Sequence, residues 1–294
     1  MKDLLDKVES APLAGYTDAA FRAVLRECGI ATTWTEMISV TALFHGNEKT
    51  KMMLRESKPE QTVIQLFGKN PEHYKTVIES GVLDAFKEIN INMGCPARKI
   101  TSNGDGCALM RNVGLARSII EACVSTGRKI SVKFRLGFAE NTSVEFAKMC
   151  ESAGASRIIL HGRFGVQGYS GVADWDAIAE VVKAVKIPVI ANGDIRNVDD
   201  LQKCAEVTEA AGFLVGRALI GCPWLFYNYG NPAGISTEFM LNIIKRHLEL
   251  AENIIEMRKH LLQYADHFPN KKELKLLLCK VSSHEEALNI LNPL

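Results

Sequence analysis

Along residues 1–220, short runs of apolar and β-branched residues alternate with stretches whose apolar positions recur at helical spacing. The runs predict strands at Val8–Leu13, Thr32–Thr35, Thr62–Leu66, Lys87–Ile91, Ile130–Arg135, Arg157–His161, Pro188–Asn192 and Gly212–Val215. Between them, helices are predicted at Thr17–Glu27, opened by a Thr-Asp cap and stopped at Gly29, and at Glu72–Ser80, Val113–Ser125, Ser143–Ala153, Asp174–Val185 and Val198–Ala205. Eight strands alternating with helices point to an α/β fold, a (β/α)8 TIM barrel. A doubly wound sheet is the competing architecture, but it rarely keeps such regular units through eight strands.

From residue 236 the pattern becomes wholly helical. Ser236–Arg258, extending toward Gln263, reads as one long helix, and FPNKKELKLLLCKV and SSHEEALNIL read as two more. GNPAGIS, residues 230–236, reads as the linker. The chain is therefore expected to divide into a barrel domain, residues 1–235, and a small all-α domain, residues 236–294. The latter carries equal numbers of acidic and basic residues, with one basic cluster at Lys271, Lys272, Lys275 and Lys280. A helical cap on the barrel and an RNA-binding module fit that composition equally well.

Several predicted strands stay apolar until a polar residue appears at the C-terminal end: Gln65, Asn90 and Asn92, Lys133 and Arg135, His161, Asn192. In a TIM barrel that end carries the active site. In ISVKFRL, alternation puts Val132, Phe134 and Leu136 on one face and Ser131, Lys133 and Arg135 on the other. A face with two cations cannot pack dry beneath helices, so it is expected to point into the barrel mouth. For any one strand, an ordinary solvated terminus explains the polar end equally well.

Composition narrows the class. The chain has 294 residues, 47% hydrophobic and 23% charged, which excludes disordered and collagen-like chains. Its net charge of +1 gives no global nucleic-acid footprint, so any such contact would be a local patch. No apolar run is long enough to span a bilayer, and MKDLLDKVES lacks the apolar core of a secretion signal, so a cytoplasmic protein is expected. Cysteines stand at 28, 95, 107, 123, 150, 204, 222 and 279 without a C-x-x-C pair; reduced thiols, mostly in the core, are expected, and no metal site.

Candidate chemistry gathers at the strand ends. Asn192-Gly193-Asp194 and Gly216-Arg217 follow the seventh and eighth strands, where this fold commonly binds phosphate, and glycine lets backbone N–H groups approach an anion. Simple strand–helix turns also favour these residues. Lys133 needs an anionic partner, which a reduced flavin offers at its N1–O2 edge; a salt bridge to Glu36 is the alternative. Gln65 suits the polar edge of such a ring, and the turn Ala11-Pro12-Leu13-Ala14 its side. Cys95, in Asn92-Met93-Gly94-Cys95-Pro96, opens the longest gap between strands, and a thiol near its ordinary pKa of about 8.5 can give a proton without a base. A buried bystander is the alternative there. His161 and Arg163 continue from the sixth strand, with ligand contact and structural packing both open.

The blocks APLAGYTDAAFR, TEMIS, VIQLFG, INMGCPARKITSNGDGCALM, VKFRLG, LHGRFGVQGYSGVADW, IPVIANGDI and VGRALIGCPWLF, in order from residue 11 to 226, resemble the tRNA-dihydrouridine synthases. Weaker matches (MRKHL, Tyr264, FPNKKELK) continue toward the C-terminus. The resemblance implies an FMN-bound TIM barrel whose helical domain grips tRNA, with no membrane, metal or protein partner. It further implies that NADPH or NADH reduces the flavin, that hydride passes to C6 of a uracil, and that Cys95 protonates C5. Matching positions imply FMN contacts at Pro12, Leu13, Ala14, Gln65, Lys133, His161, Asn192, Gly193, Asp194, Gly216 and Arg217. They imply substrate contacts at Asn92, Lys99, Arg135 and Tyr169. The chain departs from the family pattern at Phe164-Gly165, where Thr-Arg is usual, and at Cys107, Cys222, Lys275 and the residues after Tyr264. A flavin barrel acting on a free pyrimidine, like a dihydroorotate dehydrogenase, is the rival enzyme reading, though it gives no reason for the helical tail. An RNA-binding protein with a vestigial flavin site is the reading from outside catalysis.

Overall fold

The computed structural model describes residues 1–227, 229 and 234–292. Eight strands form one parallel sheet: β1 Val8–Ser10, β2 Thr33–Ser39, β3 Thr62–Phe67, β4 Glu88–Met93, β5 Ile130–Arg135, β6 Arg157–His161, β7 Val189–Asn192 and β8 Gly212–Val215. From β2 to β8 each strand pairs with its sequence neighbour, and β1 pairs with β8. A parallel bridge from Glu9 to Thr32 draws β1 against β2 and rounds the sheet into a barrel. This is the TIM barrel expected from the alternating pattern. Alternation sorts the side chains as well: Phe134 packs outward on Phe146 with centroids 5.0 Å apart, while Ser131, Lys133 and Arg135 turn inward.

The boundaries differ from the sequence reading for local reasons. β1 stops at Ser10 rather than Leu13, because Pro12 has no N–H for the ladder and Leu13 starts a turn. That turn is held by Thr17, whose hydroxyl accepts the Leu13 N–H at 3.0 Å. The helix cap is therefore Asp18 alone, accepting the Phe21 N–H at 2.8 Å, and the helix runs Ala19–Glu27. β2 continues to Ser39 across a register shift between Trp34 and Met37. Two short helices follow it, Val40–Phe44 and Glu48–Met52, capped by Ser39 and Asn47; neither is long enough to show a helical period.

The expected long helix over Ser236–Arg258 is instead two, Thr237–Leu250 and Ile254–Tyr264. Ala251 is extended, and the Asn253 side chain accepts the N–H groups of Ile255 and Glu256, starting a new helix. Both bury apolar faces in one cluster with Lys271–Leu278 and His284–Leu291, so a single apolar period carries across the break. That cluster reaches Val24 and Cys28 of the first barrel unit and Trp224. Residues 230–233 of the expected linker lie outside the described residues. No helix is long and apolar enough to cross a membrane among the described residues.

The base of the barrel is ionic. Glu88, wholly buried, accepts from Arg157 at 2.8 Å, from Lys129 at 2.9 Å and from Ser131. Arg157 also pairs with Glu9, which accepts the Trp34 indole N–H at 2.8 Å. Burial disfavours a charged Glu88, but Arg157 leads the contacts that outweigh it and hold its carboxyl below the usual range. Above this layer Ala11, Trp34, Val63, Ile159, Ile190 and Leu214 fill the lumen.

Glu88→Gln leaves a buried arginine half-answered, and equilibrium urea unfolding should show a loss of about 3–5 kcal/mol. A second expectation concerns His247 and His260, buried against Phe21 at 5.5 and 4.6 Å. Burial pushes His260 down to about 4 and His247 well below 6.5. The unfolded chain then binds protons that the folded one refuses, so stability should fall as pH drops from about 6.5 to 4. Thermal melts across that window should flatten in His260→Phe.

Candidate active site

At the C-terminal ends of the strands the barrel opens into a cleft of about 760 Å³, within the range of small-molecule sites, about 300–1,000 Å³. Its lining brings together Pro12, Leu13 and Ala14 after β1, Gln65 on β3, Asn92 and Cys95 at the end of β4, and Lys133 and Arg135 on β5. His161 of β6, Tyr169 beyond it, Asn192-Gly193-Asp194 after β7 and Gly216-Arg217 after β8 complete the wall. Lys99 is the exception: it is exposed on the short helix Arg98–Thr101 and does not line the cleft.

An amide network positions Cys95. Asn92 donates to Gln65 at 2.8 Å, and Gln65 donates to Asn90 at 2.9 Å. The remaining Asn92 oxygen accepts the N–H groups of Gly94 at 3.2 Å and Cys95 at 2.9 Å, pinning the loop to the strand end. Burial pushes the half-buried Cys95 thiol up, against the opposing pull of the Ala97 N–H, Arg135 and Lys133. The group is a thiol at neutral pH, with a thiolate-stabilising shell in place.

The two β5 cations differ sharply. Arg135 is largely committed to backbone: Nε donates to the Gly94 carbonyl at 2.8 Å and one Nη to those of Phe164 at 2.9 Å and Gly168 at 2.7 Å, tying the Cys95 loop to the loop after β6. Expected from sequence to face a substrate, it lines the cleft while holding these two loops together. Lys133 meets no carboxylate within ion-pair distance among the described residues; Glu36 instead accepts the Gly15 N–H at 2.8 Å. Burial first, then Arg135, pushes its ammonium down to about 7. An anion in the cleft would reverse that. His161, buried among these cations, is held well below 6.5 and is neutral.

The corner after β7 and β8 is built around Asp194. Its carboxylate pairs with Arg163 at 2.7 Å, Arg217 at 3.3 Å and Arg196 at 3.7 Å, and accepts the Ala173 N–H at 2.8 Å. Asp194 thus holds the arginines, and Arg217 and Arg196, more than half exposed, keep donors facing outward. Asn192 donates to the Leu214 carbonyl at 2.7 Å, joining the two loops. Gly193 has φ +123°, and a Cβ there would fall 2.7 Å from Ala173 Cβ and 2.9 Å from His161 Cδ2. One at Gly216 would lie 3.3 Å from Ala11 Cβ. This is a backbone cradle edged by cations, as an anionic ligand requires. Sequence reading left Arg163 unassigned; its alternation with His161 was the available signal. Among the described residues no cluster of metal-ligating side chains is present, and the eight cysteines are free, five of them buried.

Known proteins resemble this chain over nearly its whole length. The family model described as dihydrouridine synthase (Dus) matches residues 9–293. A probable tRNA-dihydrouridine synthase 1 from Synechocystis sp. is 34% identical over 306 residues, covering 98% of this chain and 86% of that protein. A probable tRNA-dihydrouridine synthase from Rhodobacter capsulatus is 39% identical over 225 residues, 73% of this chain and 68% of that protein. Among solved structures, a variant of NCR from Zymomonas mobilis shares the fold with a TM-score of 0.52 at 14% identity, over 74% of this chain and 83% of that one.

Asp194→Asn would strip the buried Arg163 of its counter-charge while keeping the side chain's shape. Urea unfolding should report a loss of about 3 kcal/mol, and an unchanged midpoint would remove Asp194 from its organising role.

Proposed function

The chain belongs to the dihydrouridine synthase family, and from that premise we propose that it reduces the C5=C6 bond of uridines in tRNA to 5,6-dihydrouridine, using flavin mononucleotide with NADPH or NADH as reductant. One observation carries this reading: a protonated thiol, Cys95, shares a cleft with Lys133, which has no carboxylate partner among the described residues, and with a cation-edged glycine cradle. The residues fit an anionic, planar cofactor. Gly193, Gly216 and Arg217 suit its phosphate, with Asn192 and Asp194 keeping the two loops and the arginine in place. Lys133 answers the negative edge of its ring, Gln65 and neutral His161 offer hydrogen bonds, and Pro12, Leu13 and Ala14 pack along it. When bound, the flavin supplies the hydride for uracil C6.

The chain's own residues perform the rest. Cys95 gives its proton to C5, and burial, which pushes the thiol up, favours the protonated form that the step needs. Asn92 fixes the loop that aims the thiol, and Arg135 clamps that loop from the other side. The Ala97 N–H, Arg135 and Lys133 then receive the developing thiolate charge. Tyr169, 62% exposed with the Arg135 and Arg217 guanidiniums each 5.7 Å from its ring centre, offers an aromatic face at the rim. A uridine reaches such a mouth by leaving its stack. Residues 236–292, docked on the barrel through Val24 and Trp224, act as the domain that grips the tRNA body.

The visible spectrum of the purified protein tests the cofactor and substrate together. A flavin band that NADPH bleaches, and that unmodified tRNA restores without oxygen, is expected. A colourless protein that cannot take up flavin mononucleotide would overturn the reading. Cys95→Ala should keep the flavin and lose about 10²- to 10⁴-fold in dihydrouridine formation; undiminished turnover would sink the proton-donor role.

A further inference from the structure

Beside the mouth lies a second, smaller cleft of about 400 Å³. Pro96, Ala97 and Tyr169 face both spaces, so the two share one wall. Thr101, Phe138 and Val166 form the far side, and no charged side chain lines it among the described residues. Gly165 also lines it, and an added Cβ there would fall on the buried Cys107 sulfur and 3.1 Å from the Phe138 carbonyl oxygen, so this position takes no side chain. The lining is apolar and open to water at Val166, which is 65% exposed. Apolar surface gathered at the rim of a site marks a place where something docks.

Around this neutral cleft stand cations. The Arg111 guanidinium lies 4.1 Å from the Phe138 ring centre, and Arg135 and Arg217 flank Tyr169. Arg98 and Lys99 are exposed on the short helix that carries Thr101, with no ion pair among the described residues. A phosphate would find no partner inside the cleft, and an aliphatic group would leave the cations idle. A flat uncharged ring with an anion on each side satisfies both.

We propose that this cleft holds the base of the nucleotide next to the reacting uridine, stacked against Tyr169, with Arg98 and Lys99 serving the neighbouring phosphates. The proposal rests on the RNA-substrate reading above. A uridine drawn into the mouth pulls its covalent neighbour to the shared wall, so the occupant is already tethered there. Thr101 and Tyr169 bring the only polar side chains to the cleft among the described residues. Selection therefore follows stacking strength, with purines favoured over pyrimidines.

The test uses the purified full-length protein and short single-stranded RNAs with one uridine, carrying 2-aminopurine or an abasic ribose immediately 5′ or 3′ of it. On one side the 2-aminopurine fluorescence should be quenched on binding, and the abasic ribose there should raise Kd between about fivefold and a hundredfold. Val166→Leu and Thr101→Met, which narrow the cleft without adding charge or an aromatic face, should abolish both effects. Quenching on neither side, or an abasic penalty that persists in both variants, would overturn the proposal. Dihydrouridine formation in unmodified tRNA by the same preparation reads the activity separately. Stacking without turnover supports the cleft and overturns the activity; turnover without one-sided stacking overturns the cleft alone.

Discussion

Charge placed inside a parallel barrel must be answered inside it, and this requirement organises the molecule from base to mouth. Glu9, Arg157 and Glu88 form the lowest layer, and from Glu88 a single line of hydrogen bonds climbs through Ser131, Asn90, Gln65 and Asn92 to the backbone of Cys95. The line touches β1, β3, β4, β5 and β6. A slip of one residue in any of these strands would turn its polar member under the outer helices and leave its neighbours unpaired in low dielectric. Register, fold and the position of the reactive thiol are thus set by the same bonds.

The mouth departs from this economy. At the base Glu88, Arg157 and Glu9 answer one another; within the mouth Lys133 stands without a carboxylate among the described residues while Arg135, two residues on, is bound to three carbonyls. The contrast separates scaffold from chemistry. Groups that shape the site are saturated by protein atoms, and groups that meet a ligand are left wanting one. Such unsatisfied charge costs stability, which the ionic base and the lumen core above it offset.

What could be read in advance follows the same division. β5, β6 and β8 coincide with their predicted bounds because each is a short, almost wholly buried run. β1 was overextended because an apolar run through Pro12 looks like strand until the missing N–H is counted. The C-terminal break at 251–253 was invisible to periodicity, since both helices serve one core and only Asn253 marks the cap. In the site, positions fixed by strand ends were legible, including Lys133, His161 and Asn192. Side-chain destinations set by distant loops were not: Arg135 reaches residues 29 and 33 positions away, and Arg163 finds its acid 31 positions on. Lys99 was placed with the mouth by its motif, yet its short helix turns it to solvent outside that cleft.

Cys107 and Gly165 share one volume, for the sulfur of the first occupies the space a Cβ of the second would need. Position 165 therefore cannot gain a side chain while position 107 keeps its thiol. A lineage that starts from this pair must shrink residue 107 before any side chain can appear at 165, and one that starts with a side chain at 165 must lose it before a thiol can fit. The two sites form an ordered evolutionary gate. Passage through it resculpts the rim of the cleft and leaves the proton donor, twelve residues upstream of Cys107, where Asn92 holds it.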